Sequence, residues 1–367
     1  MNLNKFKKHI EFILKKAARV SFGDNLVIWC SKEQSDFAEQ ILDFALNSGV
    51  GNAEIFHTDG LSVSDIPLNK IYHWKQNQYK LLWLYSDTCT LFPPITWTTV
   101  NVATESWAKR VFPAIENKNT AVDKLWEAIF TACRTDIDDP VEEWDKHIKK
   151  LTDKADKLND FNFNQLHIKN KSGTDLKMKL VKNHQWITCT ITNHLGETVI
   201  TNLPTEEVFT SPDTNSLNGV VYASKPIFYN NELIENFRLY FKNGKIIDFY
   251  AEKNMHLLEQ LINSCNNSDH IGEVAIVPHS CPVSQLGIFW YDTSFDENAG
   301  CHLAFGHSYP QTIKNYIQYN NEELSDIGFN HCEIHEDFVI GTEDMEITGI
   351  TENSEEITIF LNGEWNI

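Results

Sequence analysis

A chain of 367 residues, 42% hydrophobic and 22% charged, is long enough for roughly two or three domains and too apolar to stay disordered. Its formal net charge is −20 with histidine neutral, a surface that repels phosphate backbones and anionic headgroups, so neither nucleic acid nor a membrane is an expected partner. No apolar run approaches the roughly 18–20 residues that span a bilayer, and the expected class is a soluble enzyme with carboxylates available for divalent cations.

Phe6, Ile10, Ile13, Leu14 and Ala17 recur at helical spacing, while Lys15, Lys16 and Arg19 interrupt any signal-like apolar stretch. The pattern predicts an amphipathic first helix and not a targeting segment. A turn at Phe22-Gly23-Asp24-Asn25 leads into a strand, Leu26 to Cys30. A helical pattern at Phe37, Ile41, Leu42, Phe44 and Ala45 follows and stops near Asn47-Ser48-Gly49. Further strands, Ala53 to His57 and Leu81 to Tyr85, continue an alternation of helix and strand with short connections, which predicts parallel pairing.

Pro93-Pro94 marks a break, and helices are expected at Thr120–Thr135 and Val141–Leu158. From Gln165 the pattern changes to strands: Leu166–Asn170, Leu176–Val181, Trp186–Thr192, Gly219–Ala223, Phe237–Phe241 and Ile246–Tyr250. Asn243-Gly244, between the last two, is a hairpin signal. A helix at Asn254–Asn263 precedes strands near Glu273–Val277, Ile288–Tyr291, Glu333–Ile340 and Ile357–Leu361. The expected fold is an α/β N-terminal domain over residues 1–115 plus an α+β C-terminal domain with a mainly antiparallel sheet over residues 116–367.

The eight cysteines (Cys30, Cys89, Cys133, Cys189, Cys265, Cys281, Cys301 and Cys332) are scattered, with no CxxC pair. They are expected to be reduced, mostly buried thiols of a cytoplasmic protein, with neither a zinc knuckle nor a disulfide framework. A P-loop, a GxGxxG after a strand and a GxSxG elbow are all missing. The nearest approach to HExxH, His335-Glu336-Asp337-Phe338-Val339, lacks the second histidine, which excludes a single-zinc protease of that kind.

Carboxylates and histidines instead concentrate in five segments of the second half: Pro204–Pro212, Ile271–Ala275, Asp296–Ala304, Gly306–Pro310 and His331–Phe338. In an extended segment His335 and Asp337 share a face, so they can offer an imidazole nitrogen and a carboxylate oxygen to one zinc or cobalt ion. A second ion needs more oxygen donors and a bridging carboxylate. Glu207, Glu273, Glu297 and Asp337 supply four negative charges against the +4 of two divalent cations, and without cations they would repel one another and some would protonate. Each residue also has an ordinary reading. Glu207 suits a solvated loop, Glu273 an edge strand, Asp296-Glu297 a helix N-terminus, His302 a buried ring on a backbone carbonyl, and Tyr309 a core ring.

Several stretches, in order along most of the chain, resemble one family. They are Trp107-Ala108-Lys109-Arg110-Val111-Phe112-Pro113, Leu125–Phe130, Asp139-Pro140-Val141, Leu166-His167-Ile168 and Gly173-Thr174-Asp175-Leu176. Asn202-Leu203-Pro204 through Glu207-Val208-Phe209-Thr210, Asp296-Glu297-Asn298-Ala299 with His302-Leu303-Ala304, and His335 with Asp337-Phe338 and Ile340-Gly341 extend the likeness. Together they resemble the thermophilic-type dinuclear metalloaminopeptidases, the group of aminopeptidase T, aminopeptidase S and PepS.

The resemblance implies six metal ligands: Glu207, Glu273 (bridging), Glu297, His302, His335 and Asp337. It also implies that Tyr309 lies beside the metals. A cytoplasmic homodimer is implied, with two divalent ions per chain (zinc, cobalt, or magnesium/manganese), acting on peptides with a free N-terminus. The N-terminal domain would supply cleft and dimer contacts, and the C-terminal domain catalysis. Tyr309 is the candidate for binding the oxyanion, and Glu273 or Glu297 for passing a proton to the leaving amine. Three departures stand out: Glu206 where many members have glycine, the acidic Glu336 between His335 and Asp337, and a shorter stretch between His57 and Trp107. The competing readings are a catalytically inactive metal- or peptide-binding member of the same fold and a metallohydrolase of another amide.

Overall fold

In a computed structural model of the chain, residues 2–59, 66–84, 96–193 and 195–367 are described. Tyr85, Cys89 and the Pro93-Pro94 break lie outside the described residues. In chain order come α1 (Leu3–Phe12), β1 (Asn25–Cys30), α2 (Ser35–Asn47), β2 (Asn52–His57), α3 (Leu68–Gln76), β3 (Lys80–Trp83) and β4 (Trp97–Val100). Next are α4 (Glu105–Val111), α5 (Lys118–Ala132), α6 (Pro140–Phe161), β5 (Gln165–Lys169), β6 (Asp175–Lys179), β7 (Thr190–Thr192), β8 (Thr198–Ile200) and β9 (Asn202–Leu203). Then follow β10 (Val208–Thr210), β11 (Asn218–Tyr222), β12 (Ile227–Tyr229), β13 (Glu232–Lys242), β14 (Lys245–Lys253), α7 (Met255–Ile262), β15 (Ile271–Ile276) and α8 (Pro282–Gln285). The chain ends through α9 (Thr293–Asp296), β16 (His302–Gly306), α10 (Asn321–Asp326), β17 (His335–Val339), β18 (Glu346–Ile350), β19 (Glu356–Leu361) and β20 (Glu364–Trp365).

These elements form two compact units. One comprises Met1–Lys146, Cys189–Thr205 and Ile288–Ser294; the other His147–Thr188, Glu206–Gly287 and Phe295–Ile367. A single division at residue 115 was expected, but the units interleave. The chain leaves the second unit after Thr188, adds β7, β8 and β9 to the first, and returns at Glu206.

The first unit holds a five-stranded sheet in the order β2-β1-β3-β4-β9, with every neighbouring pair parallel. Parallel neighbours need crossovers, and α2 and α3 supply them between β1, β2 and β3. β1 is buried on both faces, with Leu26, Ile28 and Cys30 on one and Val27 and Trp29 on the other. Val27 and Trp29 join Leu81, Trp83 and Trp74 of α3 in an aromatic core. The five apolar residues predicted for the first helix are all buried. Phe6 meets Trp126 of α5 edge-on at 5.1 Å between ring centroids.

The second unit is antiparallel. A long sheet runs β12-β13-β11-β6-β5-β18-β19-β20 with β14 on β13, and a short one runs β10-β15-β16-β17. Asn243 and Gly244 both have positive φ in the β13–β14 hairpin, the geometry that two-residue turns require. Leu151, Ala155 and Leu158 of α6, Leu258 and Leu261 of α7, and alternate residues of both sheets share one core.

The short sheet has two different faces. Val208, Val274, Ile276, Leu303, Phe305 and Phe338 belong to the core. The opposite parity carries Glu273, His302, His335 and Asp337. Glu273 and Asp337 flank Ala304 across neighbouring strands, and His302 lies opposite Ala275. Regular alternation would set Ile271 and Glu273 on one face. The register shift between them puts Ile271 against Phe305 in the core and Glu273 against Ala304 outside it. Gly272 makes the shift possible, since a Cβ there would come within 2.3 Å of the Gly306 carbonyl oxygen and 2.4 Å of that of His307.

Two expected strands are corrected. Ile288–Tyr291 forms no strand, because Tyr291 has φ of 56°, outside any strand conformation. Only Thr190–Thr192 of the Trp186–Thr192 run pairs as a strand, because the run is divided at Thr188 between the two units. β16 and β18 were not anticipated as strands.

Gly272→Ala is expected to destabilise the protein by roughly 1–3 kcal/mol, because backbone and not a flexible side chain blocks the added methyl group. Denaturant unfolding monitored by tryptophan fluorescence measures it.

Candidate metal centre

Strand alternation brings five of the six expected ligands to one face of the short sheet. Glu207 precedes Val208 and shares the face of Phe209, which lies opposite Ala275. Glu273 comes from β15, His302 from β16, and His335 and Asp337 from β17. Small residues at Ala275 and Ala304 leave room among them. Glu297, the sixth, lies on the helical turn Glu297–Ala299 just before β16. Glu207 and Glu273 are buried, so neither is a solvated loop or edge-strand acid, and β15 has neighbours on both sides.

His302 Nε2 stands 3.0 Å from Glu207 Oε2 and 3.5 Å from Glu273 Oε1. His335 Nε2 stands 3.6 Å from Glu273 Oε2 and 3.5 Å from Asp337 Oδ1. The Nδ1 atom of each ring faces a backbone carbonyl, Gly300 O at 3.1 Å from His302 and His307 O at 2.7 Å from His335. With Nδ1–H donating there, each Nε2 faces the carboxylates, and losing its proton leaves the tautomer a metal ligand needs. The ordinary reading of His302 as a ring on a backbone carbonyl is thus correct for one nitrogen and leaves the other for the cluster.

Two groups of donors result: Glu207, Glu273 and His302, and Glu273, His335 and Asp337, with the ligand atoms of each lying within 4.8 Å of one another. Glu273 belongs to both. Asp337 Oδ1 is buried and accepts no hydrogen bond of good geometry among the described residues. Buried carboxylates facing neutral imidazole nitrogens fit zinc, cobalt or manganese. Tyr309 packs its ring on His335 at 4.6 Å between centroids and on Phe209 at 5.9 Å, which places it beside the cluster.

Asn298, in Asp296-Glu297-Asn298-Ala299, is a functional residue that the sequence pattern does not single out. It is fully buried, its Nδ2 donates to Glu297 Oε1 at 3.2 Å, and its Oδ1 accepts the Glu206 N–H at 2.7 Å. One amide therefore ties Glu297 to the backbone that carries Glu207. A buried amide beside a proposed ligand was the available signal. Glu206, one of the departures, is buried with its Oε2 3.6 Å from His147 Nε2, in a second acid–imidazole pair.

In the metal-free protein, burial pushes the Glu273 carboxyl up to about 7, and Glu207 and Asp337 add to the rise. Burial also raises Glu297 well above its ordinary value. Burial acts to lower both imidazoles, but the carboxylates outweigh it. His302 rises well above its usual range, and Asp337 and Glu273 lift His335 to about 9. Burial acts to raise Asp337, yet His335 holds it below the usual carboxylate range. Protons and divalent cations therefore compete for the same atoms of the cluster.

This fold and this cluster define a candidate metalloprotein. Comparison with known proteins supplies the family: residues 60–365 match the thermophilic metalloprotease (M29) family. The chain belongs to that family. It is 42% identical over 271 residues to aminopeptidase AmpS of Bacillus subtilis, covering 74% of this chain and 66% of that protein. It therefore spans just under two thirds of that relative's length. Identity to aminopeptidase T of Thermus aquaticus is 32% over 361 residues, 95% of this chain and 86% of that one. The solved structure of wild-type AmpT from Thermus thermophilus superposes with a TM-score of 0.88 at 26% identity, covering 100% of both chains.

Loading zinc at pH 7 is expected to release about one proton or more per chain, since His335 is protonated below about 9 and Glu273 is half-protonated near about 7. Affinity should weaken as pH falls, because protons compete for the same atoms. Calorimetry in buffers of different ionisation enthalpy counts the protons, and a heat independent of buffer would contradict the expectation. Asn298→Ala should weaken zinc binding by roughly 10–100-fold, measured by chelator competition.

Proposed function

We propose that this chain is a metal-dependent aminopeptidase that removes the N-terminal residue of peptides, working as a cytoplasmic homodimer with two divalent ions per chain. The observation that carries the reading is the pair of donor groups sharing Glu273 on one sheet face. Family membership and relatives named as aminopeptidases support it. Among the described residues, no helix is long and apolar enough to cross a membrane, which is compatible with the assigned location.

Glu207, Glu273, Glu297, His302, His335 and Asp337 are assigned as ligands. When bound, two such ions supply Lewis acidity and lower the pKa of a water toward neutrality. The carbonyls of Gly300 and His307 hold the imidazoles in the ligating tautomer. Glu273, within reach of both donor groups, is assigned to accept the proton of the attacking water. It passes that proton to the leaving amine as the peptide C–N bond breaks. The Tyr309 hydroxyl is assigned to donate to the oxyanion of the tetrahedral intermediate. An ion held by these residues would also offer a coordination position to a substrate's free α-amine, which an internal peptide bond lacks.

Chelator-stripped protein should be inactive on aminoacyl reporter substrates and regain activity when titrated with cobalt, zinc, manganese or magnesium. N-acetylated versions should stay uncleaved. Cleavage of both forms would point to another amidase, and metal binding without turnover across a broad panel to a binding protein. His335→Ala and Glu273→Gln should lose metal and activity together. Tyr309→Phe should keep its metal content and lose about 10²–10³-fold in kcat; full activity would remove Tyr309 from the chemistry.

A further inference from the structure

Away from the metal centre, two nucleophilic side chains stand in contact. Cys265, in the turn after α7, and Cys332, in the extended segment before β17, have Sγ atoms 3.2 Å apart. Both are partly exposed, whereas Cys30, Cys133, Cys281 and Cys301 are buried. The segments are clasped independently of the sulfurs. Asn267 Nδ2 donates to His331 O at 3.1 Å, and Asn330 Nδ2 donates to Asn267 O at 3.1 Å. Cys332 N–H donates to His307 Nδ1 at 3.2 Å, and Cys265 N–H to Ser268 Oγ at 3.3 Å. Gly306, with φ of 85°, lets this segment approach closely, since a Cβ there would lie 2.2 Å from the Ile334 carbonyl oxygen and 3.1 Å from the Cys332 sulfur.

We propose that Cys265 and Cys332 form a reversible disulfide, a modification site that ties the turn after α7 to the segment leading into His335 and Asp337. The sulfurs need to close to about 2.05 Å, a step of roughly 1 Å that small side-chain rotations supply while the clasp holds the backbone. Cys265 is the attacking thiol. Burial acts to raise its pKa, but the Cys332 thiol and the backbone of Glu333 and Ile334 bring it below its ordinary value. Burial pushes Cys332 up to about 11, so it resolves the intermediate instead of starting the reaction.

The oxidant is a low-molecular-weight disulfide, RSSR. The Cys265 thiolate attacks one sulfur and expels RS⁻, leaving a mixed disulfide. Cys332 then loses its proton to solvent and attacks the Cys265 sulfur, expelling the second RS⁻. Two protein thiols are oxidised, one RSSR is reduced to two RSH, and two electrons change hands. The new bond joins residues 67 apart in sequence and encloses Glu273, Glu297 and His302 within the loop. Unfolding would then release less chain freedom.

The test treats reduced, metal-loaded protein with glutathione disulfide. Thiols counted under denaturing conditions should fall by two, peptide mapping should recover a Cys265–Cys332 link, and Tm should rise by roughly 5–10 °C. Dithiothreitol should reverse all three. Cys332→Ser should instead retain one glutathione on Cys265, and Cys265→Ser should take up little. Unchanged thiols, a link between other cysteines, or wild-type protein that stops at the mixed disulfide would each overturn the proposal. An adduct on Cys332 in preference to Cys265 would overturn the assigned order of attack.

Discussion

Burying Glu207, Glu273, Glu297 and Asp337 within reach of one another costs free energy that apolar packing cannot offset, and the second unit is arranged around that cost. Two imidazoles face the carboxylates, backbone carbonyls fix the imidazoles, and one buried amide ties Glu297 to the Glu206 backbone. Without cations the cluster retains protons that free carboxyl groups would lose at neutral pH. Divalent cations would remove the repulsion, which makes affinity for metal a consequence of the burial itself.

The geometry depends on a sheet with one apolar and one ligating face. Leu303, Phe305 and Phe338 anchor the short sheet in the core, while His302, Ala304 and Asp337 alternate with them on the other side. The strands are held by ordinary hydrophobic packing, so Glu273, His302, His335 and Asp337 stand on rigid elements, with Glu207 just before β10 and Glu297 on a helical turn. The shift at Gly272 corrects the one place where alternation would fail, and the close approach of the Gly306 and His307 backbones sets the glycine requirement. His307 also receives the His335 Nδ1–H on its carbonyl and the Cys332 N–H on its ring. The strand of ligands and the cysteine pair therefore share one backbone support.

Much of this was legible in the sequence. Period-two alternation, the Asn243-Gly244 turn and helical spacing along the first helix are local properties that neighbouring residues determine, and they appear where expected. Residue type marked out five segments rich in carboxylates and histidines, but nearly every residue in them also had an ordinary reading. The resemblance to a known family then ordered them into a set. The Ile288–Tyr291 run failed as a strand because a left-handed residue ends it, which apolar composition does not reveal.

By itself, then, the sequence determined the parallel and antiparallel halves, the helices that join them, and the residue types from which a metal centre can be built. Only the tertiary structure decided that Glu207, Glu273, His302, His335 and Asp337 meet, because their strands come from distant parts of the chain and pair in an order no local pattern contains. It also decided that Asn298 links Glu297 to the Glu206 backbone and that Cys265 and Cys332, of the eight scattered cysteines, touch. The reason is the same in each case: spacing along a chain governs which face a side chain takes, whereas packing governs what that face meets.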